Sequence, residues 1–293
     1  MNRPTLTLLV GAPGTGKTTY AQNYIKVFGG IHLSSDTIRK ELYGDESIQG
    51  DPGEVFSFMQ RRAVEALNNG QSVVYDSTAM TRKDRAGIIA VCPKFAKIEC
   101  HIVWAPIETC IERDAARERT VGKSVIDRMV KRFQAPYYDE GIHEIKIVLP
   151  DKFDSFAYSE NVSCAMDIPH DNPHHTLSVK SHCLEACKYN IHTIEYYYSD
   201  LSVATAALWH DVGKPYVKAF IDSKGDPCEH AHYYQHQCVG AWMSYGLHGA
   251  TPDVAWLIST HMDPFLNTKY YNKLPAYLKK EIDLLHEADL AAH

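Results

Sequence analysis

The chain has 293 residues, of which 45% are hydrophobic and 23% charged, and its formal net charge is −6. This length fits about two domains, and no run approaches the roughly 18 apolar residues that a membrane-spanning helix needs, so we expect no membrane span. The eight cysteines form no Cys-x-x-Cys pair, and the N-terminus leads directly into an apolar run rather than a secretory leader. We therefore expect a cytoplasmic protein with reduced thiols.

The two halves differ in charge. Residues 1–150 contain 20 Lys and Arg against 18 Asp and Glu, a net of +2, whereas residues 151–293 contain 10 against 18, a net of −8. Every arginine lies in the first half, and thirteen of the 16 histidines lie in the second. Arginine suits phosphate binding, whereas histidine and carboxylate suit metal binding, so the composition predicts two different chemistries.

The first predicted strand, Leu6 to Val10, leads into GAPGTGKT and then a helical pattern. This is the phosphate-loop motif G-x-x-x-x-G-K-[ST] in its strand, loop and helix context. In such a loop Lys17 bridges the terminal phosphates and the Thr18 hydroxyl holds Mg²⁺, which predicts binding of ATP or another nucleoside triphosphate. The candidate nucleotide-binding residues are Gly11, Ala12, Pro13, Gly14, Thr15, Gly16, Lys17, Thr18 and Thr19.

The next predicted strand, Ile31 to Leu33, is followed by Ser-Ser-Asp at a helix start. Asp36 fits a helix N-cap. It also fits a carboxylate that takes the proton from an acceptor hydroxyl, with Arg39 one helical turn later holding an acceptor phosphate. The two roles are compatible.

Another apolar strand ends at Asp76, a candidate for positioning Mg²⁺ or water. The polar turn and helix that follow place Thr78, Arg82 and Arg85 where they could contact substrate phosphates. A further strand, Lys97 to Trp104, completes an alternation of strands and helices. This alternation predicts an α/β domain, a parallel sheet with flanking helices, that binds ligands at the carboxyl ends of its strands.

The segment from Ile111 to Phe133 has helical spacing and carries Arg113 and Arg117 four residues apart. A solvated charged helix is one interpretation, because acidic residues balance the arginines. A mobile lid that brings cations over the γ-phosphate is the other, and a phosphoryl-transfer site needs such cations. We favour the lid.

These motifs together resemble the 5′-hydroxyl polynucleotide kinases of the phosphate-loop superfamily. The matching elements are the phosphate loop, D-x-x-R at Asp36 and Arg39, D-x-T at Asp76 and Thr78, and an arginine-bearing lid. The resemblance implies that Asp36 is the general base, that Arg39 contacts phosphate at the acceptor end, and that Arg113 and Arg117 clamp the donor.

The stretch from Leu149 to His175 contains prolines and has no sustained helical period, so we place the boundary near residues 150–165 and expect domains at residues 1–155 and 166–293. Helical patterns then predict an all-α domain. His210 and Asp211 are adjacent at a predicted helix end, where both can ligate one cation. Four more donors lie on separate predicted helices: His182, His236, His261 and Asp289. This set suits Mn²⁺, Fe, Co²⁺, Ni²⁺, Zn²⁺ or Mg²⁺.

The second half resembles the HD-domain phosphohydrolases, whose pattern is H…HD…D. In this resemblance His182, His210, Asp211 and Asp289 hold one metal, and His236 and His261 match the positions of a second. Lys214 matches a basic residue that follows the HD pair. His232, four residues before His236, is a candidate for contacting substrate phosphate, with a surface role as the alternative.

A kinase and a hydrolase cooperate when they act on opposite ends of a broken strand. The sequence therefore favours end healing of RNA or DNA, with ATP-dependent phosphorylation of a 5′-OH and metal-dependent removal of a 2′,3′-cyclic phosphate or 3′-phosphate, upstream of an RNA ligase. It resembles bifunctional HD-plus-kinase repair enzymes with the domain order reversed. The alternatives are a small-molecule or nucleoside kinase fused to an HD nucleotidase, and a nucleotide-switched regulator.

Overall fold

The structure is a computed structural model that describes residues 3–173, 176–193 and 198–292. The chain divides into two compact units. The first comprises Met1–Met129 and Pro136–Asp151, and the second comprises Val130–Ala135 and Lys152–His293. The expected division between residues 155 and 166 stays a prediction. The second unit also includes residues on the N-terminal side of that division.

The first unit contains a five-stranded sheet in the order β2-β3-β1-β4-β5, with every neighbouring pair parallel. Its strands are β1 Thr5–Val10, β2 Ile31–Ser34, β3 Val73–Asp76, β4 Lys97–Val103 and β5 Glu144–Val148. Its helices are α1 Lys17–Phe28, α2 Ser35–Tyr43, α3 Pro52–Asn68, α4 Arg82–Val91, α5 Ile107–Ala115 and α6 Lys123–Val130. The predicted α/β fold is confirmed.

Strand β1 lies at the centre of this sheet, and its leucines on both faces, Leu6, Leu8 and Leu9, are fully buried. It lies between β3 and β4, so the chain moves to one side of β1 for β2 and β3 and to the other for β4 and β5. Ligands bind at such a reversal of strand order, beyond the carboxyl ends of the strands. The fold therefore places the phosphate loop in the crevice.

The sequence did not predict strand β5. This strand lies at the edge of the sheet, next to β4, and its five side chains are only partly buried or exposed. Glu144 and Lys146 interrupt its apolar residues, so it lacks the continuous apolar run that identified β1. Charges are common on edge strands because one side of the strand faces solvent.

The second unit is largely helical, as predicted. Its helices are α7 Ser155–Ala165, α8 Val179–Thr193, α9 Tyr198–Trp209, α10 Lys214–Val217, α11 His236–Ser244, α12 Pro252–Thr260, α13 Asp263–Leu266, α14 Thr268–Tyr271 and α15 Ala276–Ala291. Helix α9 packs against α8, α12 and α15. Its small buried residues Ala206 and Ala207 allow this close approach. Every residue from Val254 to Thr260 in α12 is buried, so α12 is a central helix.

Two details correct the all-α prediction. An antiparallel hairpin, β6 Ala219–Ile221 and β7 Pro227–His232, interrupts the helices. Helix α11 begins at His236, although the helical pattern starts at Ala231, because Gln235 has a φ of 65° and ends the extended segment. Among the residues described, no helix combines the length and the apolar character that crossing a bilayer requires.

Candidate active sites

The phosphate loop joins β1 to α1 and depends on its glycines. Gly14 and Gly16 have φ values of 86° and 98°, which glycine adopts readily but residues with a side chain rarely do. A Cβ atom on Gly14 would lie 2.3 Å from the Cys110 carbonyl oxygen. Gly16 caps α1 without a side-chain hydrogen bond, which suits the positive end of this helix to an anion. The backbone is therefore shaped to approach a phosphate closely.

Lys17 opens helix α1, and its Nζ donates to the Ala12 carbonyl oxygen at 2.9 Å. Burial lowers its pKa, and the nearby Asp76 carboxylate opposes that shift. Both Lys17 and Asp76 line a cleft of about 460 Å³. A lysine bonded to a loop carbonyl can exchange that bond for a phosphate oxygen when a nucleotide binds.

The cleft also brings together the predicted acceptor residues, Asp36 and Arg39 on α2. The Arg39 guanidinium donates to Asp36 Oδ1 at 2.8 Å. Ser34, rather than Asp36, is the helix N-cap, since its hydroxyl accepts from the Asp36 amide at 3.3 Å. Because Ser34 caps the helix, the Asp36 carboxylate is not needed for capping. Its side chain lines the cleft and is 55% exposed.

At the end of β3, Asp76 is almost fully buried, and its Oδ2 accepts two hydrogen bonds. Thr18 Oγ1 donates at 3.0 Å, and His32 Nε2 lies 3.0 Å away. A hydroxyl beside a carboxylate offers the hard oxygen donors that Mg²⁺ prefers, so these residues fit the expected cation. His32 was not predicted, because its contact with Asp76 forms only when β2 pairs with β3.

The lid region is not one helix. Helix α5 ends at Ala115 and α6 begins at Lys123, so Arg113 and Arg117 do not share a continuous helical face, which corrects the prediction. Buried Asp114 holds the intervening turn by accepting from the Val121 and Gly122 amides at 3.0 and 2.9 Å. Arg117 and Arg119 line the cleft. Arg113 Nη1 instead donates to the Gly14 carbonyl of the phosphate loop at 3.4 Å.

Arg85 does not fit its predicted role in binding phosphate. It is fully buried, and its guanidinium donates to both carboxylate oxygens of Glu140, at 2.8 and 2.7 Å, and to the Ala79 carbonyl at 3.0 Å. Thr78 lines the cleft, where its carbonyl accepts from the Gly11 amide at 3.0 Å. Arg82 is not among the residues that line the cleft. The spacing of Arg82 and Arg85 in the sequence could not show that Arg85 is buried against Glu140 or that Arg82 is not part of the cleft lining.

In the second unit the predicted ligands come together. His182 Nε2 lies 2.8 Å from Asp289 Oδ1 and 3.3 Å from His210 Nε2. His236 Nε2 lies 3.2 Å from His261 Nε2. Among the described residues, one donor group is His182, His210 and Asp289, a second is Asp211, His236 and His261, and a third, Cys183, His210 and Asp211, overlaps both. Both histidines of the second group lie at helix ends, His236 at the start of α11 and His261 just after α12, rather than inside the predicted helices.

Asp211 belongs to the second group and also reaches His210 of the first. Its Oδ2 is 3.4 Å from His210 Nε2, and its Oδ1 is 3.4 Å from His236 Nε2. Lys214 is buried beside it and places Nζ 2.6 Å from Oδ2. Burial alone would raise the pKa of Asp211, but Lys214 and His210 hold it well below its ordinary value. Asp211 is therefore an anion in contact with both groups.

The four imidazoles share one orientation. Nδ1 of His182, His210, His236 and His261 each faces a backbone carbonyl oxygen, at 3.2, 2.8, 2.9 and 2.8 Å. A carbonyl only accepts, so Nδ1 of each ring carries a proton and Nε2 is the atom directed into the cluster. A bond of this kind orients metal-binding histidines.

The charges of the cluster agree with cation binding. Burial, and then His236 and His210, lower the pKa of His261 to about 3, so this ring is neutral at neutral pH. Burial alone would lower the pKa of His210, but Asp211 raises it well above its ordinary value. The carboxylates thus favour a positive charge at His210 Nε2, which a proton or a metal ion supplies. Facing Nε2 lone pairs and buried carboxylates together fit divalent cations.

Two buried residues beside this cluster were not predicted. His170 Nε2 lies 3.9 Å from Asp211 Oδ2, and Cys183 Sγ lies 3.8 Å from His210 Nδ1. His170 stands in an irregular segment, where no helical spacing marks it. The described contacts of His232 are with Tyr234, on which its ring stacks, so the structure does not bring it to the cluster.

A protein-family model described as an AAA domain matches residues 6–136. This match covers the phosphate loop, the lid turn and four of the five strands. The first unit is a phosphate-loop nucleotide-binding domain of the parallel α/β class, and a helical region with a buried His/Asp cluster follows it.

Three solved structures are similar over part of the chain. A chain of the Pnkp1/Rnl/Hen1 complex is 25% identical, with a TM-score of 0.35 over 39% of this chain and 40% of that one. A gluconokinase from Sinorhizobium meliloti is 16% identical, with 0.38 over 52% and 86%. A shikimate kinase from Acinetobacter baumannii is 17% identical, with 0.35 over 48% and 82%. The match spans less than half the length of the Pnkp1/Rnl/Hen1 chain.

Proposed function

We propose that this chain is a bifunctional enzyme that heals the ends of broken RNA. One site phosphorylates a 5′-OH with ATP, and the other hydrolyses a 2′,3′-cyclic phosphate or 3′-phosphate. The observation that carries the proposal is that one chain has two distinct sites, a phosphate-loop cleft with a carboxylate–arginine pair and a buried His/Asp cluster. An RNA ligase is the expected downstream partner, since these activities produce the ends that ligation needs.

In the proposed kinase, Asp36 is the general base and Lys17 compensates the charge of the terminal phosphates. The Arg39 guanidinium, which donates to Asp36 in this structure, contacts phosphate at the acceptor end. Arg117 binds the donor phosphates from the turn after α5, which Asp114 holds in place. Arg113 supports the loop backbone through the Gly14 carbonyl. The residues proposed to act on phosphate all line one cleft.

In the proposed hydrolase, His182, His210, Asp211, His236, His261 and Asp289 hold one or two divalent cations. Such cations, when bound, activate water and polarise the phosphoester. Asp211 contacts both donor groups through different oxygens, which is the arrangement that a bridging carboxylate needs. Lys214 stabilises the Asp211 anion. The proposed domains are residues 1–155 and 166–293.

One assay tests both activities. The protein is incubated with ATP and a 5′-OH oligoribonucleotide that ends in a 2′,3′-cyclic phosphate, and both ends are resolved by gel and mass spectrometry. We expect a 5′-phosphate and loss of the cyclic phosphate. Lys17→Ala should remove only the first product and Asp211→Ala only the second. Absence of both products from the wild-type protein, with activity on mononucleosides instead, contradicts RNA end healing.

A second candidate function is a small-molecule or nucleoside kinase joined to a nucleotidase. The specific observation that favours it is the net charge of −8 and the absence of arginine in residues 151–293, which is unfavourable for a polyanion. Salt separates the two candidates, because only a polynucleotide acceptor releases many counterions on binding. A kinase KM that rises steeply with salt supports the RNA acceptor, and a flat KM supports the small molecule.

A further inference from the structure

A histidine with no role in the proposed reaction so far lies next to Asp76, which lines the phosphate-loop cleft. His32 lies on β2, and its Nε2 is 3.0 Å from Asp76 Oδ2. The Thr18 hydroxyl donates to the same oxygen at 3.0 Å. The Asp76 side chain is 4% exposed and that of His32 is 16% exposed, so bulk water competes little for this contact.

The sheet explains why the two side chains meet. Strands β2 and β3 are parallel, with His32 opposite Val74 and Ser34 opposite Asp76. Side chains alternate between the two faces along a strand, so His32 and Asp76 project from the same face as diagonal neighbours. Such neighbours are within reach of a side chain as long as histidine. The backbone register therefore sets this contact.

The contact also fixes what each group can do. A carboxylate oxygen accepts, so Nε2 of His32 carries the proton that it donates. Both donors bind Oδ2, and together they restrict rotation of the Asp76 carboxylate. Oδ1 is the oxygen that these two bonds do not engage. Mg²⁺ demands near-ideal octahedral geometry and keeps several waters, so a carboxylate held in one orientation suits it.

We propose that His32 is a positioning residue that holds the Asp76 carboxylate for a Mg²⁺–nucleotide complex. This inference rests on the proposed kinase function of the cleft. His32 acts on the cation through Asp76, as a residue that orients a ligand rather than as a ligand. Residues in that role change metal affinity about 10–100-fold when they are removed.

Three substitutions isolate the Nε2 donor. The amide nitrogen of glutamine reaches the position of the histidine Nε2 atom, so His32→Gln keeps a donor to Asp76. The amide nitrogen of asparagine reaches only the position of Nδ1, so His32→Asn leaves Oδ2 without that bond. His32→Ala removes the ring altogether. His143→Gln is the matched control, because His143 lies in the same unit and its Nδ1 accepts from the Ile98 amide.

The first measurement is equilibrium binding of ADP by calorimetry at a series of Mg²⁺ concentrations. We expect His32→Ala and His32→Asn to need about 10–100-fold more Mg²⁺ for half-maximal tightening of ADP binding. His32→Gln and His143→Gln should match the wild type. ADP affinity without Mg²⁺ should be the same in all five proteins.

The second measurement is kcat at saturating ATP as a function of Mg²⁺ concentration. The Mg²⁺ concentration that gives half-maximal kcat should rise in His32→Ala and His32→Asn, in parallel with the binding result. Wild-type Mg²⁺ dependence in His32→Ala, or equal defects in the Gln and Asn variants, overturns the proposal. A lower thermal midpoint with unchanged Mg²⁺ dependence makes His32 purely structural and also overturns it. The binding measurement needs no phosphate acceptor. A wild type that binds Mg²⁺ and ADP but phosphorylates no 5′-OH therefore refutes the proposed function and leaves the His32 test intact.

Discussion

Lys17 and Asp36 line the same cleft, and their substitutions should have different effects on the kinase reaction. Lys17→Ala should abolish phosphoryl transfer, because it removes the charge that compensates the terminal phosphates. Asp36→Asn should lower kcat about 10²–10⁴-fold, the usual contribution of a general base, with nucleotide affinity nearly unchanged. Steady-state kinetics and nucleotide titration check both. Full kcat in Asp36→Asn would leave this residue without a catalytic role.

The buried pair of Arg85 and Glu140 predicts an unequal response to substitution. Arg85→Met leaves the Glu140 carboxylate buried without its bidentate partner, which should cost about 3–5 kcal/mol of unfolding free energy. Replacing both residues with apolar ones should cost much less, because no buried charge is left unpaired.

Urea unfolding followed by circular dichroism measures both variants. A double variant as unstable as Arg85→Met would show that packing, rather than charge, dominates at this position.

These residues show where sequence reasoning succeeds and fails. The roles proposed for Lys17 and Thr18 follow from local spacing, because a loop between a strand and a helix fixes its own geometry. Arg85 looked similar to Arg82 in the sequence, since its partner Glu140 lies 55 residues away. His32 was missed for the same reason, because its partner Asp76 meets it only through strand pairing.

At the scale of elements, β4 carries a pH-sensitive contact with α1. The Tyr20 hydroxyl lies 2.8 Å from His101 Nδ1, and His101 Nε2 lies 3.1 Å from the Glu99 carboxylate. This arrangement fits a neutral ring that donates from Nε2 to Glu99 and accepts at Nδ1 from the Tyr20 hydroxyl. Burial lowers the pKa of His101 below its ordinary value of 6.5.

The folded state therefore binds fewer protons at His101 than the unfolded state does. This contribution to stability is present above pH 6.5 and is lost as the pH falls toward the folded-state pKa, by at most about 1.4 kcal/mol per pH unit. The thermal midpoint of the wild type should fall between pH 7 and pH 5 more steeply than that of His101→Gln. Equal slopes would exclude His101 as the titrating group.

His236 and His261, which lie at helix ends, lead to a prediction of how many metal ions one chain binds. Purified protein should contain about two divalent cations per chain, because Asp211 contacts both donor groups. His236→Ala should lose one cation and most of the hydrolase activity. Elemental analysis after dialysis measures the content. One equivalent, unchanged in His236→Ala, would refute the second metal position.

Element boundaries were harder to predict than element types. The pattern around α11 is apolar and helical from Ala231, yet the positive φ of Gln235 postpones the helix to His236. The lid pattern is likewise continuous across residues 111–133, but the bonds that Asp114 accepts fold residues 116–122 into a turn. In both cases the local backbone conformation, rather than the spacing of apolar side chains, decides where the helix begins or ends.

At the scale of the whole molecule, the order of the residues in the chain is not the order of the compact units. Val130–Ala135 belongs to the second unit. Within that unit, fully buried Phe133 packs edge-on against Trp242 and Tyr245, at 5.3 and 6.0 Å between ring centres, and the Ala135 amide donates to Ser259 Oγ at 3.2 Å. A composition boundary could not reveal this short segment.

Phe133→Ala should therefore destabilise the helical unit by about 3–5 kcal/mol, as expected for a large-to-small change in a core. Nucleotide binding at the phosphate loop should persist in the same protein. Calorimetric unfolding with and without Mg²⁺ and ADP reports on both units. Phe28→Ala, an exposed aromatic on α1, is the control. If a folded Phe133→Ala protein also lost nucleotide binding, the stability of the helical unit and nucleotide binding at the phosphate loop would not be independent.

The carbonyls that face the imidazoles also bear on how the cluster would bind the cations proposed for it. For His210, His236 and His261 that carbonyl belongs to the residue three positions earlier, in the same turn of backbone. Rotation of each ring is therefore lost when that turn forms, so an arriving ion does not bear that entropy cost. Uptake then depends on diffusion and dehydration of the ion. Exchanging one of the proposed cations for another would then leave these three rings where they were.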